Sequence, residues 1–180
     1  VFTLVDGTKV VAPNSLNLIT PYVLRAQEDW FEDEIKFLRR LLQPGEMVID
    51  IGANYGVYTV AMARAVGQPG KVWAFEAASG TARLLAESVA ANSFGHVTIE
   101  TSALSNVAGT AQLRLEQQSE LNALQRDDAH TGDSETVAVV TLDDRMDAYD
   151  WREIAFVKID AEGEETNILK GGERFFAALS

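Results

Sequence analysis

The sequence contains no cysteine and only two histidines, His96 and His130, among its 180 residues. The lack of cysteine excludes disulfides, thiolate metal sites and a cysteine nucleophile, and it agrees with a reducing compartment, so we expect a cytoplasmic protein. Two isolated imidazoles make a poor metal site, and we expect both histidines to be structural or exposed. We therefore expect no bound metal.

Basic residues are also scarce, because 15 Lys and Arg stand against 27 Asp and Glu and give a net charge of −12. No basic run could neutralise phosphates, which argues against a nucleic-acid partner. No window is long and apolar enough to span a bilayer, and no basic and apolar signal peptide opens the chain. We expect the partner to be neither a nucleic acid nor a membrane, and the acidity to serve solubility.

Hydrophobic residues make up 47% of the chain and charged residues 23%, which suits one domain with a sizeable core. The sequence shows no internal repeat and no linker rich in Pro, Gly or Ser that is long enough to separate domains. We therefore predict one domain over residues 1–180, with residues 1–45 as an N-terminal extension and residues 46–180 as the core.

The N-terminal extension is predicted to contain a β-hairpin and one helix. Two short strands, residues 2–5 and 9–12, flank the turn signal Asp6-Gly7. Residues 28–42 follow with apolar side chains at the spacing of one helix face. These side chains are Phe31, Ile35, Leu38 and Leu42. Pro44-Gly45 should end this helix before the first parallel strand.

The core opens with two short apolar runs, residues 47–51 and 72–75, on either side of a glycine turn. Such runs are typical of strands covered on both faces, and Gly52 and Gly56 allow the backbone to approach a ligand closely. The next helix would present its free N–H groups to an anionic group. Glu76 ends the second strand, where doubly wound folds place the acid that binds ribose hydroxyls. We predict a nucleotide-cofactor site.

The spacing of the turn bears on which nucleotide binds. A dinucleotide site requires G-x-G-x-x-G, whereas this turn has Asn54 in place of the middle glycine. Close approach of a pyrophosphate is harder without that glycine, which favours S-adenosylmethionine, because its amino-acid end carries no phosphate. An NAD-linked oxidoreductase remains the alternative from another enzyme class.

The rest of the chain continues the wound α/β pattern. Strands are predicted at residues 96–100, 110–115, 136–141 and 154–160, and helices at 79–92 and 164–179, the last interrupted by Gly171-Gly172. The polar stretch from Glu116 to Glu135, which includes Asn122 and His130, is predicted to be an inserted hairpin. It is a candidate substrate lid, and the alternative is an ordinary surface excursion.

Five blocks of sequence resemble the FkbM-type methyltransferases, in family order. They are D-I-G-A-N-Y-G-V-Y-T from residue 50, A-F-E from residue 74, T-S-A-L-S-N-V-A-G-T from residue 101, V-T-L-D-D from residue 140 and F-V-K-I-D-A-E-G-E-E-T-N-I-L-K-G-G from residue 156. The resemblance implies a class I methyltransferase with a Rossmann-like, doubly wound, mainly parallel sheet ordered 3-2-1-4-5-7-6. Strands five to seven of that order are not found in the sequence, and the start at Val1 agrees with a trimmed chain.

The resemblance further implies S-adenosylmethionine as cofactor and a hydroxyl of a small molecule or sugar as methyl acceptor. A nitrogen acceptor and a non-catalytic cofactor-binding module remain open. The implied cofactor contacts are Asp50, Gly52, Ala53, Asn54 and Gly56 at the methionine end, Tyr58 and Thr59 on the helix, Glu76 and Ala77 at the ribose, and Ser102 and Ala103 along the adenine. Three of these positions have alternatives: Asp50 could cap the helix, Tyr58 could be core, and Ser102 could be an ordinary loop residue.

The last predicted strand carries the candidates for catalysis. Methyl transfer needs donor and acceptor held in line and, for an alcohol, removal of the acceptor proton. The alternation of a strand places Lys158 and Asp160 on one face, with Asp160 at the carboxyl end and Glu162 just beyond it. We predict Asp160 or Glu162 as the base, with Lys158 tuning it or itself acting as the base. The alternative is a Lys158–Asp160 pair that only holds the sheet together.

Overall fold

The computed structural model of the chain describes residues 1–125, 132–151 and 153–179, so His130 lies outside the described residues. The strands are β1 (Phe2–Thr3), β2 (Lys9–Val10), β3 (Met47–Ile51), β4 (Lys71–Phe75), β5 (Val97–Glu100), β6 (Ala103–Leu104), β7 (Gly109–Arg114), β8 (Ala123–Leu124), β9 (Ser134–Val140) and β10 (Ile154–Ile159). The helices are α1 (Ile19–Gln27), α2 (Asp33–Leu41), α3 (Val57–Val66), α4 (Ser79–Ala91), α5 (Leu142–Tyr149), α6 (Glu165–Lys170) and α7 (Glu173–Ala178).

The central sheet is parallel throughout and has the strand order β10-β3-β4-β5. This is the 4-1-2-3 part of the order implied by the family resemblance, so the Rossmann-like fold is confirmed. Both faces of the sheet are covered, which explains the continuous apolar runs of its strands. Val48 and Val72 pack on the side of α3, whereas Ile49 and Trp73 pack on the opposite side.

A second sheet has the order β6-β9-β7-β8. β7 and β9 pair antiparallel from Gly109↔Val139 to Arg114↔Ser134, which agrees with the predicted inserted hairpin. Between them, a 3-10 turn at Ser119–Leu121 is followed by β8, which pairs with β7. This connection places residues 119–124 beside the carboxyl ends of the central strands.

The N-terminal extension contains the expected hairpin, with Phe2 opposite Val10, but two helices in place of one. The prediction of a helix from residue 28 was wrong, because Glu28 adopts a left-handed conformation that ends α1. Asp29 then accepts two hydrogen bonds from Arg39, of 2.7 and 2.8 Å, which hold the link between α1 and α2, residues 28–32, against α2. Phe31, which fitted the apolar spacing, lies in this link and is 50% exposed.

The C-terminal helices α6 and α7 are separated at Gly171-Gly172, as predicted. A side chain at Gly171 would lie 2.1 Å from the Ser105 carbonyl oxygen, so this crossing requires glycine. Asp143 Oδ1 accepts the Phe175 N–H at 2.8 Å and thereby caps α7 from α5. None of the helices in the described ranges is long and apolar enough to cross a membrane.

Candidate active site

A cleft lies at the carboxyl ends of the central strands, where the connections that leave β3 and β10 lead to opposite sides of the sheet. Wound α/β folds bind ligands at this switch point. Gly52, Glu76, Ser102 and Asp160 line the cleft, and each follows the end of a different central strand. The structure therefore brings together residues that are far apart in the sequence.

The glycine turn after β3 forms the floor of the cleft. Gly52 has a φ of 75°, and a side chain there would lie 1.8 Å from the Asp160 carbonyl oxygen. Both the Gly52 and the Ala53 N–H donate to the Phe75 carbonyl oxygen, at 3.0 and 2.9 Å. Gly56, with a φ of 92°, begins α3, and a side chain there would lie 2.6 Å from Leu85. The turn therefore needs glycine at both positions.

The Glu76 carboxylate lies at the end of β4 and is 9% exposed. Its two oxygens accept the backbone N–H groups of Asn54 and Ala78, each at 2.9 Å. Burial raises the pKa of Glu76 to about 6. A carboxylate oxygen can accept more than one hydrogen bond, so Glu76 retains the capacity to bind ligand hydroxyls.

Asp50 lies fully buried behind the cleft wall and is linked to it by Lys158. Asp50 Oδ2 accepts the Thr59 hydroxyl at 2.6 Å, and Oδ1 lies 3.5 Å from Lys158 Nζ. The same ammonium lies 3.5 Å from Asp160 Oδ2 and donates to the Gly52 carbonyl oxygen at 3.2 Å. Lys158 thus joins β3, the glycine turn and the end of β10.

Not every predicted cofactor residue lines the cleft. Gly52, Ala53, Asn54, Tyr58, Glu76, Ala77, Ser102 and Ala103 do so, and Asp50, Gly56 and Thr59 lie behind its wall. The buried residues can act on a ligand only through the turn and Lys158. Tyr58 is half-buried rather than core, and its ring centroid lies 5.1 Å from Lys158 Nζ.

The far end of the cleft is an apolar slot beside Ser102. Its walls are Ala77, Ala103, Leu104, Leu113 and Leu124. The buried Ser102 hydroxyl lies 3.4 Å from Glu100, a carboxylate that also accepts the Tyr149 hydroxyl and pairs with Arg145. A slot of this kind suits a flat heterocycle.

The three predicted catalytic residues all line the cleft. The Asp160 side chain is 66% exposed, and the Lys158 side chain is 15% exposed. Glu162 follows in the loop, and burial together with the negative charges of Asp160, Glu165 and Glu120 raises the pKa of its carboxyl. A carboxylate with a raised pKa is a better proton acceptor near neutral pH.

Several cleft residues were not predicted from the sequence. Trp30 Nε1 and the Tyr58 hydroxyl donate to Glu32 Oε2, at 2.9 and 2.6 Å. Burial and this carboxylate raise the pKa of Tyr58. Glu32 lies within residues 28–42, which the sequence predicted as one helix, and that pattern gave no sign of its place in the cleft.

Residues of the inserted hairpin also reach the cleft. Ser119 donates to Asn54 Oδ1 at 2.9 Å, and Glu120 Oε1 accepts both the N–H and the hydroxyl of Thr20. These contacts support the hypothesis of a lid. No local pattern could have predicted the pairing of Thr20 with Glu120, because the two residues are 100 positions apart.

The charge of the cleft fits a cationic ligand. Its lining carries six carboxylates, those of Glu32, Glu76, Glu120, Asp160, Glu162 and Glu164, and one ammonium, that of Lys158. S-adenosylmethionine carries a sulfonium, an ammonium and one carboxylate, so its net charge is positive. In the described part of the chain, no group of three or more His, Cys, Asp or Glu side chains is arranged to hold a metal.

Comparison with known proteins identifies the family. The profile described as "Methyltransferase FkbM domain" matches residues 50–179. No curated protein is significantly similar to the chain. Among solved structures, the chain is similar to a SAM dependent methyltransferase from Aquifex aeolicus, with 26% identity and a TM-score of 0.38 over 42% of this chain and 40% of that chain.

Two further structures show similarity of the same extent. An O-methyltransferase from Bacillus cereus in complex with SAH is 28% identical over 40% of this chain and 34% of that chain, with a TM-score of 0.36. An rRNA methylase from Streptococcus thermophilus is 17% identical over 39% of this chain and 40% of that chain, with a TM-score of 0.35. The chain thus spans at most 40% of the length of these three proteins. Since the profile covers most of the sequence, the chain belongs to the methyltransferase FkbM domain family, whose cofactor is S-adenosylmethionine.

Proposed function

We propose that this chain catalyses methyl transfer from S-adenosylmethionine to a hydroxyl group of a small molecule or sugar. The observation that carries the proposal is that two carboxylates suited to accept a proton, Asp160 and Glu162, line the same cleft as Glu76. The cofactor residues and the acceptor residues therefore belong to one site.

The cofactor supplies an electrophilic methyl group. In this proposal Glu76 accepts hydrogen bonds from the ribose hydroxyls, Ser102 and Ala103 lie along the adenine, and the glycine turn from Gly52 to Asn54 binds the methionine end. Asp50 lies behind the turn, and the Lys158 ammonium, 3.5 Å from its Oδ1 atom, balances its charge.

Glu162 is the proposed base. When bound, S-adenosylmethionine would supply the methyl group and its sulfur would keep the electron pair of the broken carbon–sulfur bond, while the Glu162 carboxylate would take the proton of the acceptor hydroxyl. The raised pKa of Glu162 favours this transfer. Lys158 is the proposed positioning residue, because its ammonium donates to Gly52 and lies between Asp50 and Asp160.

The lining of the cleft also favours a small acceptor over a nucleic acid. With six carboxylates against one ammonium, the cleft would repel a phosphodiester backbone. Carboxylates can accept hydrogen bonds from hydroxyl groups, so alcohols and sugars suit the site.

Two measurements test the proposal. Isothermal titration with S-adenosylhomocysteine tests the cofactor site, and transfer of a labelled methyl group to a panel of alcohols, sugars and amines tests the acceptor. We expect Glu162→Gln to bind S-adenosylhomocysteine normally and to transfer methyl groups at least about 100-fold more slowly. Glu87→Gln is the matched control, since Glu87 lies on the exposed side of α4 and pairs with Arg83.

The possible results separate the parts of the proposal. A folded chain that does not bind S-adenosylhomocysteine would contradict the assignment of the cofactor site. Transfer to amines but never to hydroxyls would contradict O-methylation. Full activity of Glu162→Gln would exclude Glu162 as the base and leave Asp160.

A further inference from the structure

The outer part of the cleft has more negative charge than its cationic side chain balances. Glu32, Glu120, Asp160 and Glu162 lie there, beyond the residues assigned to the cofactor. Lys158, the one cationic side chain in the described lining, lies 3.5 Å from Asp160 and 3.5 Å from the buried Asp50. Among these described side chains, no ion pair joins Lys158 to Glu32, Glu120 or Glu162, although its positive charge still acts on Glu162.

Glu120 has one buried oxygen in need of a donor. Its Oε1 atom accepts two hydrogen bonds from Thr20, which hold the side chain in place. Its Oε2 atom is buried and makes no hydrogen bond with the described residues. A buried carboxylate oxygen without a donor is costly, so a bound group that supplies one would be stabilised there.

Glu120 and Glu162 repel each other across the cleft. The charge of Glu120 is one of the causes that raise the pKa of Glu162, together with burial, Asp160 and Glu165. A neutral ligand would fill the cleft without relieving this repulsion, whereas a cationic ligand would relieve it. Electrostatics thus favours a cationic substrate over a neutral one, whereas hydrogen bonding alone would not distinguish between them.

Aromatic rings line the same part of the cleft. Trp30 and Tyr58 are both oriented by hydrogen bonds to Glu32, and Lys158 Nζ lies 5.1 Å from the centroid of the Tyr58 ring. The face of an aromatic ring attracts ammonium groups, and carboxylates form charge-assisted hydrogen bonds with them. Aromatic rings and carboxylates together form a surface that binds organic cations.

We propose that the methyl acceptor carries an ammonium group near the hydroxyl that is methylated, as an amino sugar does, and that Glu120 and Trp30 bind this ammonium. The inference rests on the proposed function and specifies its substrate class. Trp30 precedes residue 50, where the match to the family begins. Part of the specificity of this protein therefore comes from its N-terminal extension.

A matched pair of sugars tests the inference. The chain is saturated with S-adenosylhomocysteine and titrated at low salt with D-glucosamine or with N-acetyl-D-glucosamine, which has the same ring but no charge. Ligand-observed NMR measures the two dissociation constants. We expect glucosamine to bind about tenfold more tightly, and high salt to reduce the difference.

Two variants connect the preference to the proposed residues. Glu120→Gln should reduce the preference for glucosamine to about threefold or less while the affinity for S-adenosylhomocysteine is unchanged, because glutamine can still accept from Thr20. Glu87→Gln should leave the preference intact. Equal affinity for the two sugars, or a preference that survives Glu120→Gln, would overturn the inference alone. Failure to bind S-adenosylhomocysteine would overturn the proposed function and the inference together.

Discussion

Glu76 Oε2 accepts the backbone N–H of Asn54 at 2.9 Å, and the two residues are 22 positions apart. The end of β4 therefore holds the glycine turn that follows β3. The same carboxylate is the proposed ligand of the ribose. A change in its protonation should consequently alter both the turn and the binding of the cofactor.

Cofactor affinity should decrease at acidic pH. Because burial raises the pKa of Glu76 to about 6, the carboxyl gains a proton as the pH falls from about 7 to 5 and accepts hydrogen bonds less well. We expect the affinity for S-adenosylhomocysteine to fall about tenfold over this range. Isothermal titration of the wild type and of Glu76→Gln at each pH measures this affinity. The variant should bind S-adenosylhomocysteine weakly at every pH. A wild-type profile without a decrease would contradict the prediction.

The stability of the free chain should respond to pH in the opposite direction. The folded-state pKa of Glu76, about 6, exceeds the ordinary value of 4.5, so the folded chain binds this proton more tightly than the unfolded chain. The contribution of Glu76 to the unfolding free energy should therefore increase by up to about 2 kcal/mol as the pH falls from about 6 to below 4.5. Urea unfolding of the wild type and of Glu76→Gln at each pH isolates this contribution. If the unfolding free energies of the two proteins changed in parallel with pH, the prediction would be refuted.

Gly52→Ala should disrupt the turn. The added Cβ would lie 1.8 Å from the Asp160 carbonyl oxygen, and a φ of 75° is strained for alanine. We expect a loss of about 3 kcal/mol or more in unfolding free energy and no detectable binding of S-adenosylhomocysteine. Gly80→Ala is the control, because no atom lies within 4 Å of the added Cβ and the position is helical. It should be neutral or stabilising by about 0.5 kcal/mol. Equal thermal unfolding of both variants would show that the turn tolerates a side chain.

Lys158→Met should destabilise the chain by leaving the buried Asp50 carboxylate without its ammonium. We expect a loss of about 3 kcal/mol, whereas Lys36→Met, which removes an exposed pair with Asp33, should cost less than about 0.5 kcal/mol. The double variant Lys158→Met/Asp50→Asn should recover part of the stability, and chemical denaturation of the wild type, Lys158→Met, Asp50→Asn and the double variant measures the coupling. Additive effects would mean that the Lys158–Asp50 pair contributes nothing beyond its separate residues.

Thr20→Val should release Glu120 and with it residues 118–124. The substitution removes the hydroxyl that donates to Glu120, although the backbone N–H remains. We expect faster amide hydrogen exchange in these residues and faster dissociation of S-adenosylhomocysteine, by about threefold to tenfold. Thr136→Val, at an exposed position of β9, is the control and should change neither rate. Unchanged exchange in Thr20→Val would mean that Glu120 is held by other contacts.

The parallel core could be predicted because its signals are local. Residues 47–51 and 72–75 are short apolar runs, and Gly52 lies at a turn whose geometry demands glycine. Glu76 and Asp160 then follow from their places at strand ends, which meet at one edge of a parallel sheet. Predicting these features requires no knowledge of long-range packing.

The walls of the cleft could not be predicted in the same way. Trp30 and Glu32 line the cleft because the backbone turns at Glu28 and leaves them between two helices, where the sequence predicted a single helix. The contact of Thr20 with Glu120 joins two segments that have no pattern in common. Tertiary contacts decide such features, and they act through residues that look unremarkable in the sequence.

The absence of a side chain at Gly52 leads to one further consequence. Because the Asp160 carbonyl oxygen occupies the space where a Cβ would lie, the glycine turn and the end of β10 are in direct contact. Residues 30–32 reach the turn and α3 through the hydrogen bond from Tyr58 to Glu32, and residues 119–124 reach them through the hydrogen bond from Ser119 to Asn54. Exchanging those two segments for others should redirect the proposed methyl transfer to new acceptors without altering the distance between the proposed cofactor site and the proposed base.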